Sequence, residues 1–401
     1  MFERARIGRE REYLLACGRR ILAGVDRRTG VAPPEGLDWG RVYHTAKLAR
    51  LFPQLRHCLE AHRAQVPEEI WAALVAKTDA IAQNNRALTD ELFEVLALFE
   101  GEGCPVLPYK GPVLASTAYG DIAGRQFSDL DLLIPRREMG RAAELLRRRG
   151  YRLRHRSAAA GDAVRLTTEY HFVFDSPQGL PVELHGEAIP CYLSFPLTNE
   201  ELMARQEAAV VAGRLVPSLS REDMALLLAM HGTKHEWQCL ELVLALAGVV
   251  QARPALRWDV LMERAGKLGA RRILLLALNL TETLFGCELP GAVREAIARD
   301  RVVGRLTTQV WEYYAEIRRP ATSAVQTLRF HSRSRERVVD KIRYWLYKVF
   351  APNWEEVEWL RLPRALFPLY WVLRPVRLVW QYAPEALGIA EPRAAARQCR
   401  H

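Results

Sequence analysis

Ser128-Asp129-Leu130-Asp131-Leu132-Leu133-Ile134 is the stretch on which the fold turns. It is short, apolar and stopped by Pro135, as a buried strand is. Side chains on a strand alternate between faces. Asp129 and Asp131 therefore share one face, while Leu130 and Leu132 point into the core. Two adjacent carboxylates repel each other, and a divalent cation between them relieves that repulsion. A bare D-x-D also suits a strand end whose acids sit in solvent, so the neighbouring sequence has to decide.

Upstream, CPVLPYKG (104–111) reads as a strand ending in Lys110-Gly111. Glycine permits a tight turn and a close approach of backbone amides to phosphate, and lysine adds charge. Arg125 precedes Asp129 by four residues, in a loop with Gly120 and Gly124, where it can clamp a polyphosphate. Downstream, VELHG (182–186) puts Glu183 and His185 on one face of a later strand. A third carboxylate on an adjacent strand would complete a two-metal cluster. Between these motifs, PVLASTAYG (112–120) suits a helix and REMGRAAELLRRRGY (137–151) an amphipathic helix stopped by Gly150. YRLRHRS (151–157) suits a strand, and YHFVFDSPQGLPVELHGE (170–187) a hairpin about Ser176–Gly179. The fold class expected is α+β, a small mixed-sheet core over about 104–190.

Helical periodicity governs both flanks. YLLACGRRIL (13–22) and the run from Ile70 to Gly103 carry it on the N-terminal side, with Asp38 as an N-cap and Pro67-Glu68-Glu69 as a helix start. From about 198 the chain reads as helical again, through 221–250, 258–269 and 270–286. The division expected is an N-terminal helical region (1–100), a catalytic core (101–195), a helical substrate-binding region (196–295) and a basic, aromatic helical extension (296–401).

Composition narrows the class. The 401 residues are 49% hydrophobic and 26% charged, an ordinary globular balance that excludes disordered, collagenous and disulfide-stapled chains. Fifty-seven Lys and Arg against 47 Asp and Glu leave a net charge of +10, which suits a polyanionic partner without choosing one. The seven cysteines are scattered, without a C-x-x-C pair, and read as reduced thiols. No signal peptide or spanning segment is evident, so a cytoplasmic protein is expected.

Y-K-G-P-V-L, G-R-Q-F-S-D-L-D-L-L-I, the helix ending R-R-G-Y and V-E-L-H, in that order, resemble the nucleotidyltransferase superfamily that includes DNA polymerase β. They resemble most a largely uncharacterised bacterial branch of it. M-H-G-T-K-H-E-W, W-D-V-L and L-P-R-A-L-F-P-L-Y-W-V-L-R-P-V-R-L extend the resemblance over roughly 10–385. It implies a nucleotidyltransferase core that moves an NMP from an NTP, ATP being one such substrate, to an acceptor hydroxyl and releases pyrophosphate. It implies Asp129, Asp131 and Glu183 as catalytic metal ligands, for two Mg²⁺ ions or for Mn²⁺. Lys110, Gly111, Arg125 and Ser128 would contact the nucleotide. Glu183 stands where the family more often has Asp, and Lys110-Gly111 where the superfamily usually has Gly-Ser or Gly-Gly. The branch commonly carries an Asp after the H-x-x-K-H-x-W helix, where this chain reads LVLALAGVV (242–250), which implies a different acceptor.

His231, Lys234 and His235 share a helical stretch and are candidates, with His185, for binding the substrate. H-G-T-K-H lacks the glutamate of a zinc-protease helix. Trp237 and Tyr109 read as packed residues. The stretch 360–382, aromatic and carrying Arg361, Arg364, Arg374 and Arg377, suits either an arm packed on the body or peripheral membrane contact with arginines reaching lipid phosphates. Pro363, Pro368 and Pro375 are expected to break a long helix there. The basic run Arg333–Lys348 could meet nucleic acid, the weaker partner, since no nucleic-acid module is present; otherwise it reads as a solvated helix face. The alternative function is a catalytically weak relative serving as an interaction or membrane scaffold.

Overall fold

The computed structural model describes residues 8–24, 30–154, 171–189, 193, 195–252, 254–315, 324–352 and 354–386. Among these, five strands form one mixed sheet in the order β1-β2-β5-β4-β3. They are β1 (Leu107–Pro108), β2 (Leu130–Leu133), β3 (Arg152–Leu153), β4 (His171–Asp175) and β5 (Pro181–His185). Only the central pair, β2 and β5, runs parallel; β1, β4 and β3 join antiparallel. Helices flank this sheet on the N- and C-terminal sides, so the chain is an α+β protein with a small mixed-sheet core. Strand 151–157 is described only as far as Arg154; 155–157, Cys191 and Cys399 lie outside the described residues.

The expected helices fall on Arg9–Leu22, Trp39–Ala49, Glu68–Gly101, Gly111–Tyr119 and Met139–Arg148. Asp38 caps the second of these, its carboxylate accepting from the Arg41 amide at 3.0 Å. Cys17, Cys58, Cys104, Cys239 and Cys287 are free thiols, as their scatter predicts.

One flank differs from its reading. Residues 207–218 are not helical but form a hairpin, β6 (Glu207–Val211) with β7 (Arg214–Ser218). Its two-residue turn, Ala212-Gly213, has φ of 46° and 81°, the left-handed pair that matches strand twist. The alternation is too short, and its outward residues too apolar, to stand out among helices.

A continuous apolar core runs from Tyr13 to Phe330. Within it, helix Leu240–Gln251 lies against helix Gly111–Tyr119 at a spacing that only glycine permits. A Cβ on Gly248 would sit 2.4 Å from the Ala118 carbonyl oxygen. This approach brings the start of the first helix beside the loop that precedes β2.

The C-terminal helices contribute little to that core. Their own buried apolar cluster contains Val357 and Tyr370, with Leu362, Phe367 and Leu373 packed on it. Pro363 precedes a short 3-10 turn (Arg364–Leu369), but helix Tyr370–Ala386 continues through Pro375 rather than ending there.

Candidate active site

The site grows from the parallel pairing of β2 with β5. Their register places Asp131 opposite Glu183 and Leu133 opposite His185. Period-two alternation then turns Asp131, Glu183 and His185 to one face, over the buried Leu130, Leu132, Val182 and Leu184. One ligand atom from each of Asp131, Glu183 and His185 lies within 4.8 Å of the others. Asp129 sits one residue before β2 begins and is not part of that trio. It still feels the charges of Asp131 and Glu183.

Cations answer these carboxylates incompletely. Lys110 Nζ is 3.0 Å from Asp131 Oδ1 and lies over the Tyr109 ring, 4.7 Å from its centroid. His185 Nε2 is 3.1 Å from the same oxygen and 3.3 Å from Glu183 Oε2. Although buried, Nε2 makes no well-directed hydrogen bond to either. The imidazole stacks on His171, with centroids 5.7 Å apart and planes inclined by 14°.

Electrostatics divides the acids. Burial, reinforced by Asp131 and Glu183, pushes the Asp129 carboxyl up to about 6. Burial would push Asp131 up too, but Lys110 and His185 outweigh it and hold its carboxyl well below the usual range. For Glu183, burial is likewise outweighed, by His185. Burial would lower His185, yet its two carboxylates raise it. One acid of the three is thus the reluctant anion.

A divalent cation fits this donor set. Lys110 and His185 make the close cation contacts to these carboxylates, with Arg125 and His171 acting from further off, and a buried imidazole nitrogen lacks a directed partner. Carboxylate oxygens suit Mg²⁺, and the added imidazole suits Mn²⁺ as well.

The remaining motif residues arrange themselves around this centre. Gly111 opens helix Gly111–Tyr119 with φ of +52°, and a Cβ there would lie 3.3 Å from the Asp129 carbonyl oxygen. Ser128 Oγ is 3.5 Å from Asp129 Oδ2. Arg125 is buried, its Nε 2.8 Å from Glu241 Oε1, while its Nη1 is buried without a hydrogen bond. His231 and His235 form an edge-to-face pair with centroids 4.7 Å apart. Burial, then the charge of Lys110, drives His231 well below its usual value, so this imidazole is neutral beside the site. Trp237 is fully buried over Gly232 and Tyr109 is buried, as their reading as packed residues requires.

Several supporting residues escape a sequence reading. Glu241 immediately precedes the apolar LVLALAGVV segment and anchors Arg125 across 116 positions. The Tyr119 hydroxyl meets the same carboxylate oxygen at 3.4 Å. Burial would raise Glu241, but Arg125 holds it down. The loop carrying Arg125 is tied by side-chain amides from the N-terminal helices. Gln54 donates to the Gly124 carbonyl at 2.6 Å, Asn84 to Phe127 at 3.0 Å, and Asn85 to both Ile122 and Arg125 at 2.7 Å. Asn199 donates to the Ile134 and His185 carbonyls at 2.8 and 2.9 Å, tying the ends of β2 and β5 together. An amide at the right distance in sequence carries no pattern of its own, so nothing local announces these ties.

Two of the four arginines that could have reached lipid phosphates do not. Arg374 and Arg377 point inward and are held by Glu356, at 2.9 and 2.6 Å. Arg361 is exposed, and the side chain of Arg364 is outside the described set. The basic run 333–348 is not one solvated face either, because Arg335 is fully buried, with its guanidinium 4.0 Å from the Tyr344 ring centroid.

A family model described as an uncharacterised nucleotidyltransferase matches residues 35–286. The match spans all five core strands and the helices through Phe285, and leaves the L-P-R-A-L-F-P-L-Y-W stretch outside it. No curated protein and no solved structure matches the chain.

Proposed function

The chain belongs to this uncharacterised nucleotidyltransferase family, and from that premise we propose that it moves an NMP from an NTP to an acceptor hydroxyl. The new bond joins the acceptor oxygen to the α-phosphorus, the bond to the β-phosphate oxygen breaks, and pyrophosphate leaves. The observation that carries this reading is the Asp131–Glu183 register across the parallel strands, with Asp129 just ahead of it. Asp129, Asp131, Glu183 and His185 would hold a divalent cation, Mg²⁺ or Mn²⁺. When bound, that cation supplies charge neutralisation for the triphosphate and for the departing pyrophosphate.

The chain's own groups do the rest. Lys110 and the Nη1 of Arg125 offer positive charge to the phosphates, and the Gly111 amide, the one N–H at this helix start that neither proline removes nor the Lys110 carbonyl takes, offers a donor, with Ser128 alongside. Glu183 would complete the cation site that activates the acceptor hydroxyl, or take its proton as base. His231, Lys234 and His235, at the end of helix Arg221–Lys234, border the acceptor. The N-terminal helices serve by fixing the Arg125 loop, and residues 196–295 by carrying Glu241 and the histidine pair.

Incubation of the purified chain with each α-labelled NTP, Mg²⁺ or Mn²⁺ and pooled small-molecule acceptors tests the proposal, with self-labelling followed on the same gel. Label transfer with pyrophosphate release is expected. Asp129→Asn and Asp131→Asn should each abolish it while leaving the far-ultraviolet circular dichroism unchanged. Full activity in either variant sinks the assignment.

A further inference from the structure

Among the described residues, eighteen large apolar side chains are exposed, and fifteen of them lie between Val338 and Trp380. They are not scattered. On helix Val338–Phe350 the exposed positions include Val338, Ile342, Trp345 and Leu346. On helix Tyr370–Ala386 they are Val372, Val376, Val379 and Trp380. Both sets follow the i, i+4, i+7, i+8 spacing of one helical face. Trp359 and Leu366 are exposed in the stretch that joins these helices, and Trp371 at the start of the second.

The opposite sides of these helices are polar and buried. Glu356 is fully buried, and its two carboxylate oxygens take Arg374 Nη1 and Arg377 Nε. Arg374 Nε also donates to the Lys348 carbonyl at 3.1 Å, which joins the two helices, and Arg377 Nη2 reaches Glu355 at 2.7 Å. Ion pairs share the interior with the small cluster around Val357 and Tyr370, while most of the large apolar side chains of these helices face outward. An exterior of this kind needs an apolar partner.

The segments that adjoin this region in sequence are poor in apolar side chains. Residues 387–401 contain only Leu387 and Ile389 as large aliphatic side chains and no Phe, Tyr or Trp, and 316–323 contain only Ile317. No described helix is long and apolar enough to cross a membrane. Charge then selects among partners. Residues 324–386 carry eleven Lys and Arg against six Asp and Glu, a net charge of +5. Arg333, Arg343 and Arg361 are exposed. Pairing with a second copy would set these cations against each other, whereas anionic lipid headgroups attract them. The four exposed tryptophans, Trp345, Trp359, Trp371 and Trp380, suit the headgroup level of a bilayer.

We propose that residues 338–380 lay an apolar face into the interface of an anionic lipid bilayer, the buried Glu356–Arg374–Arg377 cluster keeping their charges out of the lipid. The aliphatic and tryptophan side chains make the contact, and arginines outside the face add attraction. The proposal is independent of nucleotide transfer.

The full chain is sedimented with phosphatidylcholine vesicles, alone and mixed with phosphatidylglycerol, and its oligomeric state is measured without vesicles. Binding to the mixed vesicles is expected, weakened more than roughly tenfold by Val376→Glu with Trp380→Glu, and unchanged by Asp129→Asn. Both substituted positions are exposed, so circular dichroism should be that of the parent chain. Arg343→Glu with Arg361→Glu serves as a second variant, expected to lose the preference for anionic over neutral vesicles. Absence of binding to either vesicle overturns the proposal, as does binding that both double variants leave unchanged. Self-association that the Val376→Glu, Trp380→Glu variant abolishes, without vesicle binding, overturns it in favour of a second copy.

Discussion

Two buried ionic clusters in this chain use the same residue types to opposite ends. Around Glu356, each carboxylate oxygen has its guanidinium, at 2.6 and 2.9 Å, and the remaining donors reach Glu355, Gln381 and a backbone carbonyl. Around Asp131, three carboxylates have close cation contacts from Lys110 and His185, with Arg125 and His171 further off, Asp129 is pushed up to about 6 by burial and its acidic neighbours, and His185 Nε2 lacks a directed bond. The first cluster is closed and the second is short of positive charge. A closed network holds structure, whereas an excess of buried carboxylate stores an appetite for cations, which is what phosphate chemistry requires.

Exchanging one carboxylate in each cluster is the strongest way to break this comparison. Glu183→Gln should lower transfer on the order of 10³-fold, with stability changed by less than about 1 kcal/mol. Glu356→Gln should do the reverse. It leaves two buried guanidinia short of an anion and should cost about 3–5 kcal/mol, read by urea unfolding and by proteolysis of the C-terminal helices. Transfer by the molecules that remain folded should persist. If Glu183→Gln unfolds the chain, or Glu356→Gln costs nothing, the two clusters are not different in kind.

The sheet and its acids were legible because their signals are local. Period-two alternation and the stops at Pro135 and Gly150 define strands and helices within a few residues, and V-E-L-H declares which face its acid takes. The Arg125–Glu241 contact was not legible, since it joins residues 116 apart and Glu241 looks like any polar residue at a helix start. The C-terminal helices left two readings open for a different reason. Their apolar stripe is plain in the sequence, but a stripe does not say whether it faces in or out. Glu356 decides that by drawing Arg374 and Arg377 inward.

Arg125 and Glu241 stand between the two extremes, being a closed pair with one guanidinium nitrogen left over. Glu241→Gln keeps an acceptor oxygen but removes the charge that pairs a buried guanidinium. The expected loss of stability is about 1.5–3 kcal/mol. If Nη1 serves the triphosphate, KM for the NTP should rise more than kcat falls. Equal changes in the two, or none, would mean that the pair is purely structural and belongs with Glu356.

The mildest change sharpens the comparison by leaving every charge in place. Gly111 has φ of +52°, where an L side chain is strained, and its missing Cβ is what lets the chain pass 3.3 Å from the Asp129 carbonyl. Gly111→Ala should cost about 1–2 kcal/mol from backbone handedness. Because the proposed function gives the Gly111 amide to the phosphates, KM for the NTP should rise with it. Gly140 provides the control, since it is exposed near the start of helix Met139–Arg148 and a Cβ there would meet nothing within 4 Å. Gly140→Ala should be neutral or stabilise by up to about 1 kcal/mol, without effect on KM. If Gly111→Ala behaves like Gly140→Ala in both stability and KM, the turn is not what fixes the phosphate side of the site, and the charges alone must do so.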